Sequence, residues 1–353
     1  MRLLVYPASR EVSGFARYKD LLTEYDEVSL CAPRGWCNEG DDFSRIDSGE
    51  LTQTFVQINW EQPFSSADGV YFAESPVPLR QEYIQQRIVQ AVRLGKKVYL
   101  DKDVPSIELD RFKDYQVLQG EPFQVDFIEK DSREICKIPV PVIFIMGTGP
   151  NCNKFEVQLA LRRYFLEKGY CVAQVGSKRQ AYFFGFRSLP DMFFQNTLTI
   201  REKIVGLNRF FYQKYLREKP EVMIIGVPGG IMPLSPVRFE ELGEMAYLIS
   251  QAITPDVSIL CTYSVDLSED YLEKMKMICK YRLNAPISYM VLSNTEIELS
   301  METRSMQFRT VSLQQVREKC PLSSAVSLRL FCGTDPDNLS QLAECVWQEL
   351  IEN

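Results

Sequence analysis

The run Gly147-Thr148-Gly149-Pro150-Asn151-Cys152-Asn153-Lys154-Phe155 brings together residue types suited to holding a phosphate. Glycine and asparagine let a loop curl until its backbone N–H groups converge on one point. A lysine adds a mobile positive charge that reaches the outer phosphates. A helix starting there turns the positive end of its dipole on the same point. The elements that must position the loop are legible on either side. The apolar stretch Val140-Pro141-Val142-Ile143-Phe144-Ile145-Met146 reads as a buried strand, and an amphipathic helix is expected over residues 156–168. Strand, glycine-rich turn, lysine and helix form the layout of a P-loop.

Two positions depart from the usual pattern. Asn153 stands where glycine is normal, and asparagine tolerates left-handed backbone better than other residues with a side chain. Phe155 stands where Ser or Thr would ligate Mg²⁺, and a phenyl ring cannot ligate a hard cation. Phosphate binding is compatible with both changes, whereas metal-assisted phosphoryl transfer loses a ligand. The same residues also fit an ordinary βα turn whose glycines serve geometry alone. Cys152 lies close to Lys154, which would lower a thiol's pKa; it is read as a structural thiol.

Composition narrows the chemistry further. The 353 residues suffice for two domains, and 45% hydrophobic with 25% charged residues is the balance of a soluble globular protein. There is no histidine, so Ser-His-Asp and Cys-His nucleophilic systems, His metal ligands and His general acid–base chemistry are all excluded. The formal net charge of −7 argues against a general nucleic-acid binder. Ten cysteines occur singly, with no C-x-x-C pair, and read as reduced cytosolic thiols rather than a zinc site or a disulfide framework. The first apolar run, Leu3-Leu4-Val5-Tyr6, is too short for a secretory signal. No apolar run approaches the roughly 20 residues of a membrane span. A cytoplasmic protein bound to neither membrane nor nucleic acid is expected.

The pattern of elements is α/β in two domains, each with a parallel sheet: an N-terminal Rossmann- or flavodoxin-like domain over residues 1–125, a polar linker over 126–138, and a P-loop NTPase-like domain over 139–353. In the first, strands are expected at 2–6, 27–31, 69–72, 97–100 and 115–118. A helix between the third and fourth carries Leu79, Tyr83, Ile84, Ile88, Val89 and Val92 at helical spacing. The loop Pro7-Ala8-Ser9-Arg10-Glu11-Val12-Ser13-Gly14 lies where open α/β sheets bind ligands, but it lacks G-x-G-x-x-G, so no dinucleotide site is read there. In the second, further strands are expected at 170–175, 222–225, 257–262 and 288–292, with edge strands at 308–311 and 327–331. Helices are expected at 197–218, 238–253, 269–282 and 339–351. The aromatic segments Tyr182-Phe183-Phe184-Gly185-Phe186-Arg187 and Met192-Phe193-Phe194 read as packing rather than as a base-stacking platform.

Several loops together carry a resemblance. Gly147-Thr148-Gly149 through Asn153-Lys154 resembles the G-T-[DG]-x-x-x-G-K-T loop of dethiobiotin synthetase-like and cyclic diphosphoglycerate synthetase-like P-loop proteins. Gly226-Val227-Pro228-Gly229-Gly230-Ile231-Met232-Pro233-Leu234 resembles the E-G-A-G-G-x-x-x-P-L loop of the dethiobiotin synthetase-like group, with Pro233-Leu234 offset by about one residue. Val291-Leu292-Ser293-Asn294 is similar to the strand-ending Asn that contacts the base in that superfamily. The resemblance covers roughly residues 140–300. It implies a nucleotide, ATP or GTP, cradled by Gly147, Thr148, Gly149, Asn153 and Lys154, faced by Gly229 and Gly230, with Asn294 at the base. It also shows two losses: the family's metal-associated Glu falls on Gly226 and its Ser/Thr on Phe155. Asp191 and Asp266 are the candidate replacements for Mg²⁺, and each reads first as a solvated loop carboxylate.

The whole chain is similar, in addition, to accessory proteins of bacterial cassettes that mature ribosomally made peptides, in which an α/β domain precedes a degenerate P-loop domain. That resemblance implies a precursor peptide and its modifying enzyme as partners. Two readings follow. The first is a nucleotide-binding P-loop protein of biosynthesis or peptide maturation; if catalytic, it would perform ATP-dependent ligation or phosphoryl transfer, which needs no histidine. The second is a non-catalytic scaffold that keeps the fold and recognises a peptide or a maturation enzyme. Lys154 favours the first, because a lysine at a helix start opposes the dipole unless an anion is present. An oxidoreductase built on the N-terminal domain ranks last for want of its glycine fingerprint.

Overall fold

A computed structural model of the chain describes all residues except 76, 103, 105–114, 124–133, 234–242, 266, 300–305, 321–327 and 353. Most of the expected linker, the start of the helix expected at 238–253, Leu234 and Asp266 therefore lie outside the described residues. The chain divides into two compact units: Met1–Gly120 with Arg179–Arg187, and Glu121–Lys178 with Ser188–Asn353. No helix among the described residues is long and apolar enough to cross a membrane.

The first unit is built on six strands: β1 (Arg2–Tyr6), β2 (Glu27–Cys31), β3 (Val56–Gln57), β4 (Gly69–Phe72), β5 (Lys97–Leu100) and β6 (Tyr115–Val117). Their order is β3-β2-β1-β4-β5-β6, and every pairing is parallel. This is the Rossmann strand order, whose ligand crevice opens between the first and fourth strands, where the winding reverses. Short aliphatic runs such as Leu3-Leu4-Val5 are buried on both sides because helices cover both faces. On one face the helix Gln81–Arg93 presents Ile84, Ile88, Ala91 and Val92 to Tyr6, Phe72 and Leu100. On the other, the 3-10 turn Arg179–Phe184 delivers the aromatic segment to this unit. The Phe183 ring lies 4.9 Å from Tyr71, 5.1 Å from Tyr99 and 5.3 Å from Phe15. Gln180 Nε2 donates to the Glu11 carbonyl at 2.8 Å. The aromatics of 179–187 are packing, as their composition suggested, and the core they complete is that of the first unit.

The second unit carries β7 (Val142–Gly147), β8 (Val172–Gly176), β9 (Arg187–Ser188), β10 (Val222–Gly226), β11 (Val257–Thr262), β12 (Tyr289–Leu292) and, after the antiparallel pair β13 (Thr295–Leu299) and β14 (Met306–Thr310), β15 (Arg329–Cys332). The sheet order is β15-β12-β11-β7-β10-β8-β9, with β7 central and paired in parallel to β10 and β11. One face is filled by Phe144, Leu207, Phe210, Phe211 and Ile249, the other by Ile143, Ile145, Val157, Leu161 and Phe165 with Leu339, Leu342 and Val346 of the helix Pro336–Glu352. The spacing 339, 342, 343, 346 is one apolar stripe of a helix. The helix expected at 197–218 begins at Ile200, because Thr199 and Glu202 close a reciprocal capping box. The helix expected at 269–282 is α-helical only over Glu269–Met277 and ends in a π-turn, Ile278–Arg282. The strand expected at 308–311 is not an edge of the main sheet. It is β14, whose partner is β13.

Candidate functional site: a closed loop at the head of the second sheet

Neighbouring parallel strands all point their carboxyl ends the same way, so loops far apart in sequence meet there. The loop after β7 meets the loop after β10, where Ile231 N–H donates to the Gly147 carbonyl at 2.9 Å. It meets β11 where Thr148 N–H donates to the Cys261 carbonyl at 2.9 Å and where Tyr263 Oη donates to the Pro150 carbonyl at 2.6 Å. It meets the end of β12 where Asn294 N–H donates to Asn153 Oδ1 at 3.2 Å and Thr295 Oγ1 to the Asn151 carbonyl at 2.7 Å. Gly147, Thr148, Gly149, Asn153, Lys154, Gly229, Gly230 and Asn294 are thus gathered at one end of the sheet.

The local backbone follows the residue types. Asn151 and Asn153 sit at φ 57° and 58°, the left-handed region asparagine accepts, and Asn153 immediately precedes the helix Lys154–Glu167 without a side-chain capping hydrogen bond. Gly230 is needed for close approach: a Cβ there would lie 2.9 Å from the Thr148 carbonyl oxygen. Asn294 is 3% exposed, and its backbone holds Asn153 in place.

The lysine is turned inward. Lys154 is 8% exposed; its Nζ donates to the Gly149 carbonyl at 3.1 Å and to the Gly229 carbonyl. No described carboxylate forms an ion pair with it. The Gly149 carbonyl also accepts from the Cys152 thiol at 3.1 Å. Among the described residues this ammonium meets only neutral carbonyls, which leaves it under-compensated, because a buried charge is stable only with a counter-charge or a full set of acceptors.

Both positions that the motif resemblance would link to a metal are filled by packing. Phe155 is 1% exposed. Gly226 has no room for a side chain, since a Cβ there would lie 2.1 Å from Gln158 Oε1. The Gln158 amide is fully buried and fixed: its Nε2 donates to the Lys154 carbonyl at 3.0 Å and to Ser177 Oγ at 2.8 Å, and its Oε1 accepts from Ser177 N–H at 3.2 Å. Asp191 opens the 3-10 turn Asp191–Phe194. Among the described residues, no group of three His, Cys, Asp or Glu side chains could hold a metal ion. Sequence reading missed Gln158, Tyr263 and Thr295. The one signal for Gln158 was a polar residue inside the apolar run from Val157 to Leu161.

Cys152 is corrected in one respect. It is fully buried, and burial pushes its thiol above the ordinary range despite the opposing pull of Lys154. Cys261 is likewise raised by burial. Since the thiolate is the nucleophile, iodoacetamide at neutral pH is expected to alkylate exposed Cys171 and to leave Cys152 and Cys261 unmodified until the protein is unfolded. Mass mapping of the adducts checks this; alkylation of Cys152 in the native protein would show an open loop.

No protein-family profile matches the sequence, and no curated protein matches it. Among solved structures, a DUF1611-family protein from Anabaena variabilis aligns at TM-score 0.61 and 12% identity, over 100% of this chain and 99% of that one. A nucleotide-binding protein in complex with ADP from Archaeoglobus fulgidus aligns at TM-score 0.33 and 12% identity, over 57% of this chain and 86% of that one. The signal recognition particle receptor FtsY from Elizabethkingia anophelis aligns at TM-score 0.30 and 11% identity, over 46% of this chain and 53% of that one. The first establishes likeness of fold: an α/β chain that follows the Anabaena protein along its whole length.

Proposed function

We propose that the second unit binds the phosphates of a nucleotide, ATP or GTP, in the loop 147–154. The observation that carries this is the buried Lys154 ammonium, held by two carbonyls and paired with no described carboxylate. On binding, phosphate oxygens replace those carbonyls as acceptors, and the helix Lys154–Glu167 adds its dipole. Gly147, Thr148, Gly149 and Asn153 shape the cradle, and Gly229 and Gly230 let the facing loop approach backbone-first. Asn294 acts through Asn153 as a positioning residue as well as by its place near the base. With Phe155 and Gly226 both filled by packing, binding takes precedence over Mg²⁺-assisted turnover in this reading.

Isothermal titration of ATP, ADP and GTP, with and without Mg²⁺, tests it on the full chain and on Lys154→Ala. Micromolar binding is expected, weakened on the order of tenfold to a hundredfold in Lys154→Ala by loss of charge-assisted hydrogen bonds. Absence of binding, or equal binding by both proteins, would reject this reading in favour of a scaffold. A role in peptide maturation rests on the whole-chain resemblance alone. It predicts that a precursor peptide or its modifying enzyme co-purifies with the tagged chain.

A further inference from the structure

We infer that the first unit holds a separate site for the oxyanion of a small ligand, a carboxylate or a phosphate, built around Arg87 at the carboxyl ends of β1, β2 and β3. Arg87 projects from the helix Gln81–Arg93 and is 8% exposed. Its guanidinium carbon lies 4.4 Å from the ring centroid of Tyr6, 4.2 Å from Trp60 and 4.0 Å from Tyr83. Nη2 donates to Tyr83 Oη. Among the described residues Nη1 is buried with no hydrogen-bond partner, and no carboxylate pairs with the group.

Two more buried polar atoms without a partner among the described residues, Tyr6 Oη and Gln57 Oε1, lie at the same end of the sheet. The register places them there: Tyr6 faces Phe72 across β1 and β4, Val5 faces Leu30 so that Tyr6 comes level with Cys31, and Cys31 faces Gln57. Tyr6, Cys31 and Phe72 share the face that the helix covers. Tyr6 ends β1, one of the two strands that flank the switch point of the sheet.

Ring faces offset the charge of a guanidinium but do not accept its in-plane N–H. A buried charged donor without an acceptor is costly, and Tyr6, whose ring centroid lies 4.4 Å from the guanidinium carbon, carries a second idle donor. Burial raises the Tyr6 phenol to about 12, so it keeps its proton at neutral pH. Two donors match the two oxygens of one carboxylate better than the larger oxygen set of a phosphate. Gln57 Oε1, an acceptor, suits an N–H or O–H elsewhere on the same ligand. Tyr83, 46% exposed, is the ring open to solvent, while Trp60 at 5% and Tyr6 at 1% are closed in.

Trp60 makes the site self-reporting. In a Lys154→Ala background, which weakens anion binding by the loop of the second unit, malonate and inorganic phosphate are titrated against tryptophan emission of the full chain. A saturable change is expected, tighter for malonate, and Trp60→Phe removes the emission change while calorimetry still registers binding. Tyr6→Phe keeps the ring and deletes only the idle hydroxyl. It is expected to leave the melting temperature unchanged or higher while weakening binding on the order of tenfold; Arg87→Lys abolishes binding. Tighter phosphate than malonate supports the site and assigns it to phosphate esters. No saturable response to either probe, or equal affinity in wild type and Tyr6→Phe, overturns the inference even if Arg87→Lys fails to fold.

Discussion

Glu121→Ala is expected to destabilise the second unit by about 3 kcal/mol or more, the cost of leaving a buried charge without its partner. Glu121 and Lys214 have side chains 7% and 5% exposed, with Nζ and Oε2 2.8 Å apart. Lys214, on the helix Ile200–Glu218, also reaches Glu218 Oε1 at 2.9 Å, and Arg217 closes the group onto Glu121. With the Glu121 carboxylate gone, Lys214 retains, among the described residues, only Glu218, whose side chain is 32% exposed. Arg217 is 58% exposed, so solvent screens it, and Arg217→Ala is expected to cost no more than about 1 kcal/mol. The double replacement Glu121→Leu with Lys214→Met removes both charges and is expected to regain most of the loss. Urea unfolding followed by circular dichroism measures all three. A Glu121→Ala loss below about 1 kcal/mol, or a double variant no better than the single, would show that the pair is solvated rather than buried.

Much of this architecture was legible because its signals are local. Strands β1, β2, β4, β5 and β11 coincide with the runs expected at 2–6, 27–31, 69–72, 97–100 and 257–262, each a short apolar run bounded by polar or turn residues. β3, two residues long, is too short to show any period. What one residue packs against is not local. Nothing in the composition of 179–187 says that it completes the core of the first unit. Nor does the alternation of 306–310 reveal that its partner is β13 rather than the sheet edge. The loop residues were legible as a group because parallel topology brings successive strand ends together. The inward turn of Lys154 was not, since it depends on carbonyls 5 and 75 residues away. Arg87 was passed over for the same reason: on its helix it falls beside Ile88 and one turn from Ile84, and only the register of β1, β2 and β3 sets idle polar atoms near it.

Gly226→Ala is the second large effect, and it tests whether a core amide excludes any side chain at this position. A Cβ at 226 would meet Gln158 Oε1 at 2.1 Å, Cδ at 2.3 Å and Nε2 at 2.5 Å. A glutamine end is normally free to swing aside, but this one is fully buried and tied to Lys154 and to Ser177 at both N–H and Oγ. Moving it breaks those bonds inside the core, so overpacking and unmet hydrogen bonds add to about 3 kcal/mol or more. Gln158→Ala alone also destabilises, by losing the same bonds and leaving a void. The two changes in one chain relieve each other, since the methyl at 226 enters the space the amide vacates. Their combined loss is expected to fall short of the sum by more than about 1 kcal/mol, measured by urea unfolding as a double-mutant cycle. Additive losses would mean that Gln158 relaxes freely and that glycine at 226 serves only the backbone. Strong coupling would mean that a Glu at 226 is excluded by a core amide, not merely absent. Admitting any side chain at 226 would then require rebuilding the contact between β10 and the helix Lys154–Glu167.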